Sequence, residues 1–425
     1  MSHRSSTPAA LDHAPVECCP SPPQRADSRQ YRLILVALLV ACLIQPLLWA
    51  IKLAITPEVL FPDFFGLWSS GRYVLTHVPS TVYDDRLLHA FQVELGMPAD
   101  IGHLTFFYPP WVLMLLAPLG ALPYGIARVA WLVLTFAAYV VALTAWRWRG
   151  VVAYLLFLAP SSAVCFLVGQ NGFLTAALML GGMRLLWTRP MVAGILLASL
   201  GYKPQFAILV PFVMLFGCHW RALASAGAWI AVLSLATTLA FGTDTWGAWL
   251  TGVGGQAGTL TGGRAALLDL MPTVLAGVLL LGGSATMAHA AQAAAAFFGL
   301  VALWKVRTRQ DIAARAVLPV ATILATPYAF DYDLPMVTGA ILAVIAVRIA
   351  APDRLRPFEL PLLFACVVMP AILPAHGGAL AAMVPIALGI ALWILSRKPR
   401  PPVFGQSARS SDETGRYADM KLSTR

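Results

Sequence analysis

The sequence predicts an all-α polytopic membrane protein, and three observations carry that prediction. Of the 425 residues, 59% are hydrophobic and only 11% charged, against about 25% charged in an ordinary soluble domain. Long apolar stretches recur from Tyr31 to Leu395, without the alternating polar pattern of a barrel wall. Lys and Arg fall in short clusters between those stretches: Arg147 and Arg149; Arg184 and Arg189; Lys305, Arg307 and Arg309; Arg348, Arg354 and Arg356; Arg397, Lys398 and Arg400. Backbone groups in lipid must be satisfied within their own segment, so the spans fold as helices. The basic clusters mark cytoplasmic ends, which accounts for the net charge of +10 without a nucleic-acid partner.

Taken in order, residues 1–30 are polar, rich in Pro and Ser, and carry Arg4, Arg25 and Arg29. A cleavable leader would place its apolar core nearer the start, so this stretch reads as a disordered cytoplasmic tail. The membrane domain, 31–396, opens with an apolar run at 31–55 that is long enough to span. The upstream arginines put its first end inside, and the loop 56–108 then faces the periplasm or cell exterior. That loop holds Glu58, Asp63, Asp84, Asp85, Glu94 and Asp100 against Arg72 and Arg86. Within it, 65–75 and 86–95 have mixed faces and read as short helices lying on the membrane surface.

After Tyr108-Pro109-Pro110, apolar segments follow near 111–121, 126–146, 150–168, 172–187, 191–202, 205–217, 221–241, 272–283, 287–304, 312–326, 334–350, 359–374 and 377–396. Several are too short for a full crossing. The basic clusters demand an odd number of crossings between the outer loop and Arg147, yet 111–121 and 126–146 look like two segments broken at Leu122-Pro123. The same conflict recurs between 272 and 304. About 10–14 helices are expected, with one member of each pair re-entrant or the charge rule failing locally. Residues 242–270 read as a loop, and 397–425 as a second disordered cytoplasmic tail. Cys42, Cys165 and Cys366 sit inside apolar runs as small hydrophobes. Neither they nor Cys18, Cys19 and Cys218 have the spacing of a metal site or a disulfide framework.

The chemistry gathers at the outer side. Phe61-Pro62-Asp63-Phe64-Phe65 sets a carboxylate between a proline and two aromatic rings. Gly169-Gln170-Asn171-Gly172, Gly201-Tyr202-Lys203-Pro204 and the run from Thr326 to Asp333 share that side, and 242–270 adds Arg264. Polar residues in such places are expensive and often functional. A cavity lined by Asp63, Gln170, Asn171, Lys203, Arg264 and Asp331 to Asp333 is therefore expected. A carboxylate there suits the base that takes a proton from an attacking hydroxyl when a sugar is joined to an acceptor. Lys203, Arg72 and Arg264 are cations suited to a leaving phosphate. Each residue also has a structural reading. Asp63 is placed to cap a helix beginning at Phe64, and Lys203 to snorkel beside a proline. Gln170 and Asn171 suit a turn. Asp331 and Asp333 suit a helix cap or, as Asp-x-Asp, a divalent metal. His289 and His376 read as structural.

These motifs form a series: Pro-Asp-Phe (62–64) and Gly71-Arg72-Tyr73, Tyr83-Asp84, Tyr108-Pro109-Pro110, Gly169-Gln170-Asn171, Lys203-Pro204, and Thr326-Pro327 with Asp331-Tyr332-Asp333. Over residues 60–340 the series resembles glycosyltransferase family 87, of the membrane GT-C superfamily. The resemblance implies a GT-C-type helical bundle and a polyprenyl-phosphate sugar donor, typically polyprenyl-phosphate mannose. It further implies an acceptor glycan or glycolipid, and transfer outside the plasma membrane with inversion at the anomeric carbon. No nucleotide-sugar site, obligatory metal or other cofactor is implied. Asp63 matches the first-loop catalytic aspartate. Arg72, Tyr73, Tyr108, Gln170, Asn171, Lys203, Arg264, Asp331, Tyr332 and Asp333 become candidates for substrate binding. Some members have histidine where this chain has Tyr332 and Asp333. The rival reading is a transporter or flippase of a lipid-linked sugar, a class that commonly shows internal repeats; no clear repeat is present.

Overall fold

A computed structural model of the chain describes residue 40 and residues 63–99, 102, 104–144, 159–257, 265–350, 358–368 and 381–398. The expected span at 31–55 apart from residue 40, the tails apart from Arg397 and Lys398, and Arg264 and His376 lie outside them. Every regular element among the described residues is a helix. The first loop forms α1 (Phe64–Tyr73) and α2 (Asp85–Glu94), followed by α3 (Trp111–Gly120) and α4 (Tyr124–Thr144). Next come α5 (Pro160–Val168), α6 (Gly172–Leu185), α7 (Pro190–Ser199), α8 (Pro204–Phe216), α9 (Trp220–Phe241) and α10 (Asp244–Ala257). The last third is α11 (Val274–Leu280), α12 (Ala285–Val306), α13 (Ile312–Ala325), α14 (Pro335–Ala350), α15 (Glu359–Val368) and α16 (Met383–Ser396).

Three helices, α4, α9 and α12, are long and apolar enough to cross a bilayer, with spans of 20 to 22 residues. At 1.5 Å per residue they reach about 30 Å, the thickness of the hydrocarbon core. Their outer faces are apolar and open: Val129, Val133 and Leu134 on α4, Val232, Leu235 and Leu239 on α9, and Phe297 and Phe298 on α12. So large an uncovered apolar surface is stable only against lipid. The chain is a membrane protein. Behind these helices, α6, α13, α14 and α16 pack into the main core, and residues Val317 to Leu324 of α13 are buried on all sides. A helix apolar all round belongs in the interior.

The expected apolar segments from 111 onward have their counterparts in these helices, with three informative differences. First, α1 is not a surface helix. Phe64, Phe65, Leu67, Trp68 and Tyr73 are buried, and Phe64 and Trp68 pack on Tyr124 at 5.9 and 5.3 Å between rings. Gly71 and Gly120 let α1 and α3 touch: a Cβ on either would collide with the other helix's backbone. Only α2 keeps an open face, and Asp84 caps it by accepting from the N–H groups of Arg86 and Leu87. Second, α3 has 10 residues and α11 has 7, too few to cross by length. The two parity conflicts fall on these two half-length helices.

Third, 244–257 is helical. Gly247, Gly252, Gly254 and Gly255 argue against a helix, but two indoles anchor α10. Trp246 Nε1 donates to Thr238 Oγ1 at 3.0 Å, and Trp249 Nε1 donates to the Phe107 carbonyl at 3.1 Å. The helix thereby lies across the first loop beside Tyr108.

Candidate functional site

Four stretches far apart in sequence meet at one end of the bundle. The turn Gly169–Gly172 joins α5 to α6, and its two glycines dictate its seat. Gly169 ends α5 with φ 71°, a left-handed conformation that glycine adopts without strain. A Cβ on it would press within 2.6 Å of the Phe64 Cβ. A Cβ on Gly172 would run into the Tyr332 carbonyl. That carbonyl also accepts from the Cys165 thiol at 3.1 Å. The turn is thus wedged between the start of α1 and residues 331–333.

This wedge delivers Gln170 to Asp63. Gln170 Nε2 donates to Asp63 Oδ2 at 2.8 Å, while Gln170 Oε1 accepts from the backbone N–H of Asn171 at 3.2 Å. The second contact fixes which end of the amide faces Asp63. Asp63 occupies the position before α1 yet makes no side-chain cap; its carboxylate turns to the neighbouring turn instead. Burial pushes the Asp63 carboxyl above the usual carboxylate range. The Gln170 hydrogen bond and the Lys203 charge pull it back, and Asp333 pushes it up again.

Asn171, 2% exposed, donates from Nδ2 to the Tyr108 hydroxyl at 2.7 Å. Its Oδ1 is buried with no partner among the described residues. Tyr108 is held from behind, since its carbonyl accepts from the Tyr83 hydroxyl at 2.8 Å. The Asn171 carbonyl accepts from both the Thr175 hydroxyl and the Tyr202 hydroxyl at 3.2 Å, and those two hydroxyls lie 2.5 Å apart.

Lys203 follows the turn that ends α7 and stands just before Pro204, the first residue of α8. It is 6% exposed, so it does not snorkel to an interface. Its Nζ lies 2.5 Å from Asp333 Oδ1, beneath the rings of Phe206 at 5.3 Å and Tyr332 at 5.2 Å. Asp333 Oδ2 accepts from the Phe330 N–H at 3.0 Å, and Asp331 Oδ1 from the Tyr332 N–H at 2.8 Å. Both aspartates therefore shape their own turn, and Asp333 also binds the lysine. Burial is the main cause that pushes the Asp331 carboxyl up to about 7, with the charges of Asp333 and Asp63 adding to it.

The structure thus brings together Asp63, Tyr108, Gln170, Asn171, Lys203, Asp331, Tyr332 and Asp333. It does not bring Arg72 and Tyr73 to them. Nine positions of helix separate Asp63 from Arg72, about 14 Å. Arg72 instead donates to the Gly120 carbonyl at 3.2 Å and lies over Trp68. The Tyr73 hydroxyl pairs with Thr81 Oγ1 at 2.9 Å. Thr175 and Tyr202, neither of them among the candidate site residues, hold the Asn171 backbone; the adjacency of Tyr202 to Lys203 is the signal the sequence offers for one of them.

The family model for glycosyltransferase family 87 matches residues 106–327, slightly more than half of the chain. The chain belongs to glycosyltransferase family 87. It is therefore an enzyme that transfers sugars. The matched region takes in Tyr108, Gln170, Asn171 and Lys203, with Asp63 before it and Asp331 to Asp333 just after. No curated protein and no solved structure matches the chain.

Proposed function

We propose that this family 87 enzyme moves a sugar, mannose in the first instance, from a polyprenyl-phosphate donor to a hydroxyl of a glycan or glycolipid on the extracytoplasmic side of the plasma membrane. The observation that carries the reading is that Asp63 forgoes its helix cap and meets Gln170, near the buried Lys203–Asp333 pair. A carboxylate held this way takes the proton of the acceptor hydroxyl while that oxygen attacks the anomeric carbon from the face opposite the leaving phosphate. The glycosidic bond forms, the bond to the phosphate breaks, and the anomeric configuration inverts.

The neighbours divide the remaining work. Lys203 spends one ammonium contact on Asp333 and offers its remaining hydrogens to the departing phosphate. Tyr108, accepting from Asn171, keeps its own O–H to donate, and Asn171 Oδ1 is a buried acceptor with no partner among the described residues; together they suit a sugar hydroxyl. Asp331 is a second acceptor for sugar hydroxyls. A donor carrying a long polyprenyl chain is suited to the apolar flanks of the bundle, which a soluble nucleotide sugar is not. Membranes containing the protein, supplied with radiolabelled polyprenyl-phosphate mannose, transfer label to an acceptor, and labelled GDP-mannose with lipid-donor synthesis blocked gives none. Transfer directly from the nucleotide sugar would overturn the proposed donor class.

A further inference from the structure

Gln170 was a candidate for contacting sugar, but its amide is already committed. Its Nε2 donates to Asp63 Oδ2 at 2.8 Å, its Oε1 accepts from the Asn171 N–H at 3.2 Å, and the residue is 8% exposed. The turn that carries it is clamped between Phe64 and Tyr332, with no room for a Cβ at Gly169 or Gly172. Asp63 Oδ1 accepts no hydrogen bond among the described residues and is not sealed from the surface. The two carboxylate oxygens are therefore inequivalent.

We propose that Gln170 is a positioning residue for the base: it occupies Asp63 Oδ2, turns the carboxylate out of the capping geometry, and leaves Oδ1 as the atom that meets the acceptor hydroxyl. The proposal rests on the reading of Asp63 as the base. Its chemical consequence follows from the hydrogen bond itself. A donor to the ionised carboxylate favours the charged form, so Gln170 offsets part of the burial that would keep Asp63 protonated. The groups facing Asp63 are the Lys203 cation, which acts in the same direction, and Asp333, which acts against it; Asp331 and the Tyr108 and Tyr332 hydroxyls also lie within electrostatic range. Removing the Gln170 donor leaves these in place.

The test uses the full-length protein in detergent and two readouts. Dicyclohexylcarbodiimide modifies protonated carboxyls in apolar settings, so the pH dependence of its adduct on the Asp63 peptide, read by mass spectrometry, reports the ionisation of Asp63 without an activity assay. Gln170→Met keeps the side chain's length without its donor, and the midpoint moves up by about one to two pH units. Gln170→Glu, a second variant that keeps the shape, also moves it up by adding a like charge. With polyprenyl-phosphate mannose as probe, both variants lower kcat about tenfold or more at neutral pH with KM little changed, and raising the pH recovers part of the loss. An unmoved midpoint in both variants, or a raised KM with unchanged kcat, would overturn the proposal and return Gln170 to substrate contact. Failure of the underlying reading looks different: Asp63→Asn would then transfer sugar normally, whatever Gln170 does to the titration.

Discussion

At the level of single residues the site is governed by charges held away from water. Lys203 and Asp333 are 6% and 2% exposed and compensate each other. Removing one partner of such a pair strands the other and costs about 3–5 kcal/mol, whereas replacing both by apolar groups is often neutral or better. Lys203→Met should therefore sharply lower the unfolding temperature of the purified protein, followed by tryptophan fluorescence. Lys203→Met with Asp333→Leu should restore that temperature without restoring transfer, because the phosphate contact is lost in both. Asp331 adds a titration of its own. Its carboxyl is pushed up to about 7, chiefly by burial, and the charges of Asp333 and Asp63 add to that rise. The base works only when ionised, so transfer falls as pH drops through the Asp63 ionisation, which lies above the ordinary carboxylate range. Asp331→Asn should remove the step near neutrality from the pH–rate profile and leave the Asp63 limb. A profile unchanged by Asp331→Asn would mean that its carboxyl plays no part there.

Among the elements, the Gly169–Gly172 turn decides whether the site exists. Gly172→Ala puts a methyl group into the Tyr332 carbonyl, and overpacking of this kind costs about 1–3 kcal/mol. The shift separates residues 331–333 from Gln170, so the variant should lose both thermal stability and transfer. Gly125→Ala, where a Cβ meets nothing within 4 Å, is the matched control and should do neither. The turn is legible as polar residues between two apolar segments, and its Gln-Asn pair stands out there. The partners of that pair were not legible, since they depend on which surfaces the glycines allow to touch. Arg72 and Tyr73 show the converse: a cation and a motif tyrosine in the same loop as Asp63 suit a shared site, but one helix carries Arg72 to a joint with α3 and Tyr73 to Thr81, His77 and Phe91. The α10 helix lies inside a stretch that reads as a loop, and the partners that anchor its Trp246 and Trp249 lie on α9 and the first loop, out of reach of local propensity.

For the whole molecule, the apolar segments from 111 onward and their order were readable from hydropathy alone. The length of a crossing and the absence of charge leave little freedom there. The convergence of four loops at one end is a tertiary fact that periodicity does not carry. At the other end lie basic residues: Arg309 donates to the carbonyls of Leu395, Ser396 and Arg397 and pairs with Asp311, and Arg315 lies over Trp187. By the positive-inside rule we propose that this end is cytoplasmic and that the site faces out. In a cysteine-free background, Glu94→Cys should react with a membrane-impermeant maleimide in intact cells. Thr308→Cys should react only after permeabilisation, and the reverse pattern would place the site inside.

The central claim is that the Asp63 carboxylate takes the proton of the acceptor hydroxyl. The most direct measurement is initial-rate transfer from radiolabelled polyprenyl-phosphate mannose by purified Asp63→Asn protein, with folding checked by its unfolding temperature. The account predicts a folded protein whose rate falls by about 10²–10⁴-fold, the range a general base supplies. A folded Asp63→Asn protein that transfers sugar at the wild-type rate would contradict it.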